Sequence, residues 1–313
     1  MKISVIMSVY KEPLEWLRQS IDSILNQAYR NFEFIIICDN PYANDNIELL
    51  KDYAIKDSRI KLILNAENIG LTRSLNRGLA IARGKYIARM DADDISLPDR
   101  FEKQYIFMEN HPEVIVLGTN INYIGKGAKF KINESFRYSD AEIRAQMIFD
   151  NSLVHPSVLI RRSVLVEHSI CYDETYRQSQ DYRLWEQLLP YGEFSNLKDK
   201  LLHYRISEQQ ITKSNASGQL NLANSVRIRI QQKWLVSLGI YVTDTELIYN
   251  PYKIIEILKG IKGISKTLEF KLFVQFVYLN GTNPPTLRYL LLKGDFKYFS
   301  IMNLLRVFKR MIL

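Results

Sequence analysis

The chain has 313 residues, of which 47% are apolar and 24% charged, so it is long enough for one enzyme-sized globular domain and an extension. No run of eighteen uncharged apolar residues occurs, and strand-like sequence begins at Ile3; we therefore expect neither a membrane-spanning helix nor a signal peptide. The net charge of +8 lies in residues 251–313, where eleven lysines and arginines accompany three acidic residues, whereas residues 1–250 contain 31 of each sign, which predicts an anionic partner surface for the C-terminal segment alone.

The first hundred residues predict strands that alternate with helices. Apolar runs predict four strands, over residues 3–9, 32–38, 60–64 and 85–90. Pro13 begins a helix with one apolar stripe, and a second helix of this kind runs from Leu71 to Ala82. Such alternation is typical of an α/β fold, with a mainly parallel sheet and helices on both of its faces.

The second half of the chain predicts shorter elements and then a helical extension. In order, we expect a helix from Pro98 to about Glu109, a strand over 114–118, an irregular hairpin region over 120–138, a helix over 140–149, a strand over 157–160, a helix over 181–189 and a strand over 201–205. From residue 216 onward the pattern is helical. We therefore predict two domains, residues 1–215 and 216–313.

The two cysteines, Cys38 and Cys171, are far apart and outside any metal-binding spacing. Both stand beside apolar residues, so we predict that both are buried free thiols in a reducing compartment.

The most informative segment is Asp91-Ala92-Asp93-Asp94, at the end of the fourth predicted strand. Three carboxylates this close repel one another and raise one another's pKa. Either a hard divalent cation, which takes oxygen ligands and often bridges to substrate phosphates, or nearby arginines would neutralise them. The alternative is a solvated acidic turn in which Asp94 caps the next helix.

Other polar residues also follow the predicted strands. Ligands bind at the carboxyl ends of the strands in such sheets, so we expect Ser8, Tyr10, Asp39 and the acidic tetrad to lie close together. Asp39 is suited to accept an N–H of a nucleobase on which Tyr10 stacks, or to form a turn with Asn40.

Several candidates lie on helices or at later strand ends. Arg73, on one helix face with Asn76, suits a phosphate or a solvated surface. Asp181 begins an apolar helix and is suited to capping or to catalysis, and Arg205 ends the last strand, where an anion would meet it. His155 precedes a strand, where a lone histidine is more often structural than a ligand.

Taken together, these segments resemble the family 2 glycosyltransferases. The matching motifs are Ser4–Tyr10, Leu25-Asn26-Gln27, Asn31–Asp39, Asn68-x-Gly70, Asn76-Arg77-Gly78, Ala82–Asp94, Pro98-x-Arg100, His155-Pro156-Ser157, Gln180-Asp181-x-x-Leu184-Trp185 and Tyr204-Arg205. The resemblance covers about residues 1–215. It implies an inverting transferase of the GT-A fold, a Rossmann-like α/β fold, that uses a nucleotide-diphosphate sugar, most often a UDP-sugar.

The resemblance also implies a nucleotide site. Ser8, Tyr10 and Asp39 would hold the nucleobase, Arg73 would approach the nucleotide, and Arg205 would meet the diphosphate. One departure bears on this site: many family members have Asp-Asp-Gly-Ser where this chain has Cys-Asp-Asn-Pro at 38–41, so nucleobase contacts would differ in detail.

The resemblance further implies the residues that carry the reaction. Asp91 and Asp93 match the family's DXD element, which meets the ribose and a divalent metal, Mn²⁺ or Mg²⁺, on the diphosphate. Asp181 matches the general base. Many members have Glu-Asp where this chain has Gln180-Asp181, so a neighbouring carboxylate that would raise the pKa of the base is missing.

The family also suggests an acceptor: a lipid-linked glycan at the cytoplasmic leaflet, in the synthesis of capsule, O-antigen or exopolysaccharide. Residues 286–313 mix apolar and cationic side chains, which predicts helices in an anionic membrane interface and a protein peripheral to the inner face of the cell membrane. The alternative is a helical pair packed on the catalytic domain or at a dimer contact. Two other functions compete: a non-catalytic nucleotide-sugar-binding protein, and a nucleic-acid-binding protein, which we disfavour because no recognised nucleic-acid module is present.

Overall fold

The computed structural model describes residues 1–126, 128, 136–206, 216–243, 251–262 and 264. The chain divides into two compact units, one of residues 1–143 and 152–223 and the other of residues 144–151 and 224–313. The predicted boundary between residues 215 and 216 adjoins a stretch outside the described residues and stays a prediction, as does the segment 286–313.

The first unit contains eight strands that form one sheet. They are β1 (Ile3–Val9), β2 (Phe32–Cys38), β3 (Ile60–Leu64), β4 (Tyr86–Asp91), β5 (Ile95–Ser96), β6 (Val114–Gly125), β7 (Leu159–Arg161) and β8 (Glu193–Ile206). The order across the sheet is β3-β2-β1-β4-β7-β6-β8-β5. β1 runs parallel to β2 and β4, β2 to β3, and β6 to β8, whereas β7 and β5 are antiparallel to their neighbours. The mainly parallel α/β fold is confirmed.

Nine α-helices lie within the described residues. They are α1 (Leu14–Leu25), α2 (Asn44–Lys56), α3 (Leu71–Ile81), α4 (Arg100–Asn110), α5 (Asp140–Met147), α6 (Arg162–Glu167), α7 (Gln180–Leu188), α8 (Ala216–Ser237) and α9 (Pro251–Lys259). Two 3₁₀ turns, His155–Ser157 and Leu189–Tyr191, precede β7 and β8.

Helices cover both faces of the central strands, which explains their continuous apolar sequence. Val5 of β1 belongs to the core cluster that includes Ile21 of α1. On the opposite face, a Cβ added to Gly78 of α3 would lie 2.6 Å from Ile6 of β1. α3 therefore approaches the sheet so closely that a residue without a side chain is required at this position.

The structure differs from the sequence-based prediction in several elements. β6 continues to Gly125, where an irregular hairpin region was expected from residue 120, and β8 begins at Glu193 rather than at Leu201. Helices α2 and α6 were not predicted. Cys38 is buried as expected, but Cys171 is exposed: the neighbouring Tyr172 turns its ring inward, so the thiol points outward, and the prediction of a buried thiol was wrong.

Candidate active site

The carboxyl ends of β1, β2 and β4 lie side by side. Ser8 of β1 pairs in register with Asp91 of β4, and the Asp39 N–H donates to the carbonyl of Val9 at 2.7 Å. Ser8 is half-buried, whereas the Tyr10 side chain is 40% exposed. The predicted convergence of these residues with the acidic tetrad is confirmed.

The three carboxylates of the tetrad have different environments. Asp91 is half-buried and forms an ion pair with Arg89. Asp94 is only 1% exposed; its Oδ1 accepts the Arg205 N–H at 2.7 Å, and its buried Oδ2 has no hydrogen-bond partner. The alternative in which Asp94 caps the next helix is wrong. Helix α4 begins after Asp99, and the Asp94 carboxylate accepts a backbone N–H of β8 instead.

Two buried arginines lie beneath the tetrad. Arg89 pairs with Asp91, and Arg100 donates to the Arg89 carbonyl at 3.0 Å. Burial lowers the pKa of Arg100 to about 9, although the charge of Asp94 acts in the opposite direction and raises it. The fold itself therefore supplies part of the positive charge that the clustered carboxylates need.

Asp93 is affected by the charges of Asp91 and of a fourth carboxylate, Glu12. Burial, followed by the charges of Asp91 and Glu12, raises the pKa of Asp93 to about 7. The Glu12 carboxylate accepts the Tyr10 N–H at 2.8 Å, and burial raises its pKa, with a further contribution from Asp91. Sequence reasoning missed Glu12, because only the pairing of β1 with β4 places it near the tetrad. Within the described residues, no group of three or more His, Cys, Asp or Glu is arranged to hold a metal ion.

Asp39 organises the loop that enters α3. Its Oδ1 accepts the Asn65 amide at 2.6 Å and the Ile69 N–H at 2.9 Å, and its Oδ2 accepts the Gly70 N–H at 2.8 Å. Gly70 has φ +87°, a conformation that favours glycine. The turn at this strand end is formed by Asn40, whose Oδ1 accepts the Tyr42 N–H at 3.1 Å, so Asp39 acts as a clamp on residues 65–70.

The two predicted anion-binding arginines both have protein partners. Arg73 is exposed and pairs with Glu174 at 3.0 Å. Arg205 is nearly buried; its Nε donates to the Asp93 carbonyl at 2.6 Å and its Nη2 to Gln19 at 2.8 Å, and its guanidinium lies 4.9 Å from the centre of the Trp16 ring. Arg205 therefore fixes the backbone of the tetrad.

Asp181 is the second residue of α7 and is half-buried. Burial raises the pKa of Tyr204 and of Tyr172, and in both cases Asp181 and Asp91 contribute to the increase. Tyr172 is also bonded to His155, with 2.7 Å between its Oη and the histidine Nε2. Two tyrosines thus lie within electrostatic range of both Asp181 and the tetrad, and the structural role expected for His155 is confirmed.

Comparison with known proteins identifies the family. Residues 4–169 match the family described as Glycosyl transferase family 2. The chain belongs to this glycosyltransferase family. An uncharacterized glycosyltransferase of Methanocaldococcus jannaschii is 39% identical to it over 206 residues, which are 65% of this chain and 70% of the relative. The O-antigen biosynthesis glycosyltransferase WbnJ of Escherichia coli is 36% identical over 216 residues, 68% of this chain and 82% of the relative.

Solved structures agree on the fold of this family 2 chain. Residues 1–349 of S. aureus TarS, in complex with UDP-GlcNAc, superpose with a TM-score of 0.63 at 15% identity, over 95% of this chain and 89% of that one. The chain therefore has the GT-A fold. In the part that the structure describes, no helix is long and apolar enough to cross a membrane.

Proposed function

We propose that this family 2 glycosyltransferase transfers a sugar from a UDP-sugar, with inversion, to a hydroxyl of a lipid-linked glycan in surface-polysaccharide synthesis. The observation that supports this most is the acidic tetrad at the carboxyl ends of the parallel strands. Tyr172 and Tyr204 lie within electrostatic range of both this tetrad and Asp181. The similarity to WbnJ, a glycosyltransferase of O-antigen biosynthesis, supports the glycan acceptor, whether O-antigen, capsule or exopolysaccharide.

Asp91 and Asp93 would hold Mn²⁺ or Mg²⁺. Both side chains are partly accessible, and burial, together with the charges of Asp91 and Glu12, raises the pKa of Asp93, so that a bound cation would favour its charged form. Such ions commonly bind through one or two carboxylates together with substrate phosphates, so two protein ligands suffice. The ion would stabilise the charge that develops on the leaving diphosphate.

The nucleotide would bind along the exposed rim of the same strand ends. Tyr10 offers a partly exposed ring for stacking on the base, with Ser8 beside it. Asp39 supports this site by holding residues 65–70, and its Oδ2, which accepts one bond, retains capacity for a base N–H. Arg73 and Arg205 would reach the nucleotide by exchanging a present partner for a phosphate oxygen.

Asp181 would act as the general base. An acceptor hydroxyl is a weak nucleophile, and a carboxylate within hydrogen-bond reach removes its proton during attack. A single base on the face of the sugar opposite to the leaving diphosphate gives inversion in one displacement.

The test compares Asp181→Asn with wild type in manganese-dependent hydrolysis of UDP-glucose, UDP-galactose and UDP-N-acetylglucosamine, in which water takes the place of the acceptor hydroxyl and UDP is released. We expect a loss of about 10² to 10⁴-fold in rate, with UDP affinity retained. Asp52→Asn, on the exposed side of α2, is the matched control. Absence of turnover in the wild-type protein, with UDP still bound, would instead favour a non-catalytic nucleotide-sugar-binding protein.

The metal assignment is tested separately by titrating UDP into wild-type and Asp93→Ala protein, with and without Mn²⁺. We expect Mn²⁺ to increase the affinity of the wild-type protein for UDP but not that of the variant. Equal metal-dependent affinity in the two proteins would exclude Asp93 as a ligand.

The basic segment 286–313 would bring the enzyme to the inner face of the membrane. It lies outside the described residues, so the support is the sequence: each cation near an anionic surface contributes about 1 kcal/mol. We expect full-length protein to sediment with anionic but not neutral liposomes and to be released by salt, and a chain ending near Gly281 to stay in solution. Full-length protein that remains in the supernatant with anionic liposomes at low salt would contradict the membrane role.

A further inference from the structure

Helix α3 holds a short segment, residues 172–176, that leads towards α7. The Asn76 amide makes two bonds with the Tyr172 backbone: its Nδ2 donates to the carbonyl at 2.9 Å, and its Oδ1 accepts the N–H at 3.0 Å. The Thr72 hydroxyl donates to the Tyr176 carbonyl at 2.9 Å. These bonds satisfy backbone groups of a segment that is not part of the sheet, and buried groups of this kind are costly when left unpaired.

The same segment is tied to the first turns of α7. Asp173 accepts from the Arg183 Nε at 3.2 Å, and the Arg183 guanidinium lies 5.8 Å from the centre of the Tyr176 ring. Arg183 follows Asp181 by two residues. A displacement of segment 172–176 would therefore reach the part of α7 that carries Asp181.

The side chain of Tyr172 adds a third connection. It is 4% exposed, and its hydroxyl bonds to His155, whose ring lies 6.0 Å from that of Trp185 in α7. Tyr172 is thus fixed through its backbone by α3 and through its ring by a residue that packs on α7.

We propose that Asn76 is a positioning residue for the transfer reaction. Through its paired bonds to Tyr172 it holds segment 172–176, and through this segment the first turn of α7, so that Asp181 meets the acceptor hydroxyl in reactive geometry. The inference rests on the proposed function of Asp181 as base. A misplacement of 1 Å at a reacting group can cost about 100-fold in rate, which sets the expected effect of losing the two bonds.

The experiment is a double-mutant cycle of Asn76→Ala with Asp181→Asn, followed by manganese-dependent UDP release from the three UDP-sugars named above. The control is Asn110→Ala, the same change at the exposed end of α4. We expect Asn76→Ala to lower kcat about 100-fold while the Kd for UDP changes less than about twofold. In the Asp181→Asn background, Asn76→Ala should lower kcat by less than about threefold, because the effects of substituting residues that act as one unit are not additive.

Each outcome bears on a different statement. Multiplicative losses in the double variant, or a rise in the UDP Kd that accounts for the lost activity, would overturn the positioning role alone. Release of UDP by Asp181→Asn at the wild-type rate would overturn the proposed base and this inference with it. Amide hydrogen exchange gives a readout that needs no turnover: Asn76→Ala should accelerate exchange across residues 172–184, and unchanged exchange there would refute the clamp.

Discussion

Replacing Asp93 with asparagine should stabilise the metal-free protein at alkaline pH. In the folded chain, burial and the charges of Asp91 and Glu12 raise the pKa of Asp93 to about 7, against about 3.9 in an unfolded chain. Between these values the folded state retains a proton that the unfolded state has lost. The free energy of unfolding therefore falls as the pH rises from about 4 to about 7, and the penalty is complete above that range.

The magnitude follows from the pKa difference. The difference between a pKa of about 7 and one of about 3.9 corresponds to a loss of at most about 4 kcal/mol in the free energy of unfolding at high pH. Solvent screening of this partly accessible side chain makes the actual loss smaller. We expect Asp93→Asn, which has the same shape without the charge, to gain about 1 to 2 kcal/mol at pH 8. At pH 4 the gain should vanish, because the wild-type carboxyl is then protonated in the folded protein.

Urea denaturation in EDTA at pH 4, 6 and 8 measures this difference directly. Asp52→Asn is the control, since Asp52 lies on the exposed side of α2 and its replacement should have a small effect at each pH. With Mn²⁺ and UDP at pH 8 the wild-type protein should become more stable than Asp93→Asn, because a ligand stabilises the folded protein that binds it. A variant that is less stable than wild type at pH 8 in EDTA would refute the electrostatic reasoning.

Three further substitutions test the framework around the site. Asp39→Ala leaves the Ile69 N–H without its acceptor and the Gly70 N–H with only Asn68 Oδ1, and it should lower the free energy of unfolding by about 1 to 3 kcal/mol, measured by urea denaturation; a loss below about 0.5 kcal/mol would contradict the clamp. Gly84→Ala places a Cβ 2.5 Å from the backbone nitrogen of Ser4 and should lower the free energy of unfolding by about 1 to 3 kcal/mol; an unchanged melting temperature would contradict this. Tyr172→Phe removes the hydroxyl bonded to His155 and should lower the free energy of unfolding by about 1 to 3 kcal/mol, measured by urea denaturation; equal stability of the variant and the wild-type protein would refute this.

The sheet core was predictable because its signal is local. β1, β2 and β3 have the bounds predicted from their apolar runs, and parallel pairing then brings their polar ends together. β8 was underestimated for the opposite reason. Its first half is polar and partly exposed. It is a strand because β6, about eighty residues earlier, pairs along it, and no local sequence pattern reports such a partner.

Long-range partners also account for what was missed in the site. The sequence left open whether a cation or arginines neutralise the tetrad, and only the fold shows that Arg89 and Arg100 are buried beside it. Asn76 was noted as sharing a helix face with Arg73, but its bonds to Tyr172 cross 96 residues. Such contacts are visible only once the chain has folded.

The bond between Asp94 and the N–H of Arg205 joins residues 111 positions apart, and this separation has a consequence during synthesis. The tetrad cannot take its final form until β8 has been made. At about 5 to 20 residues per second, the ribosome needs roughly 6 to 22 s to travel that distance. The nascent chain therefore carries an unfinished tetrad, in which Asp94 lacks this bond, for at least that time after Asp94 has been made.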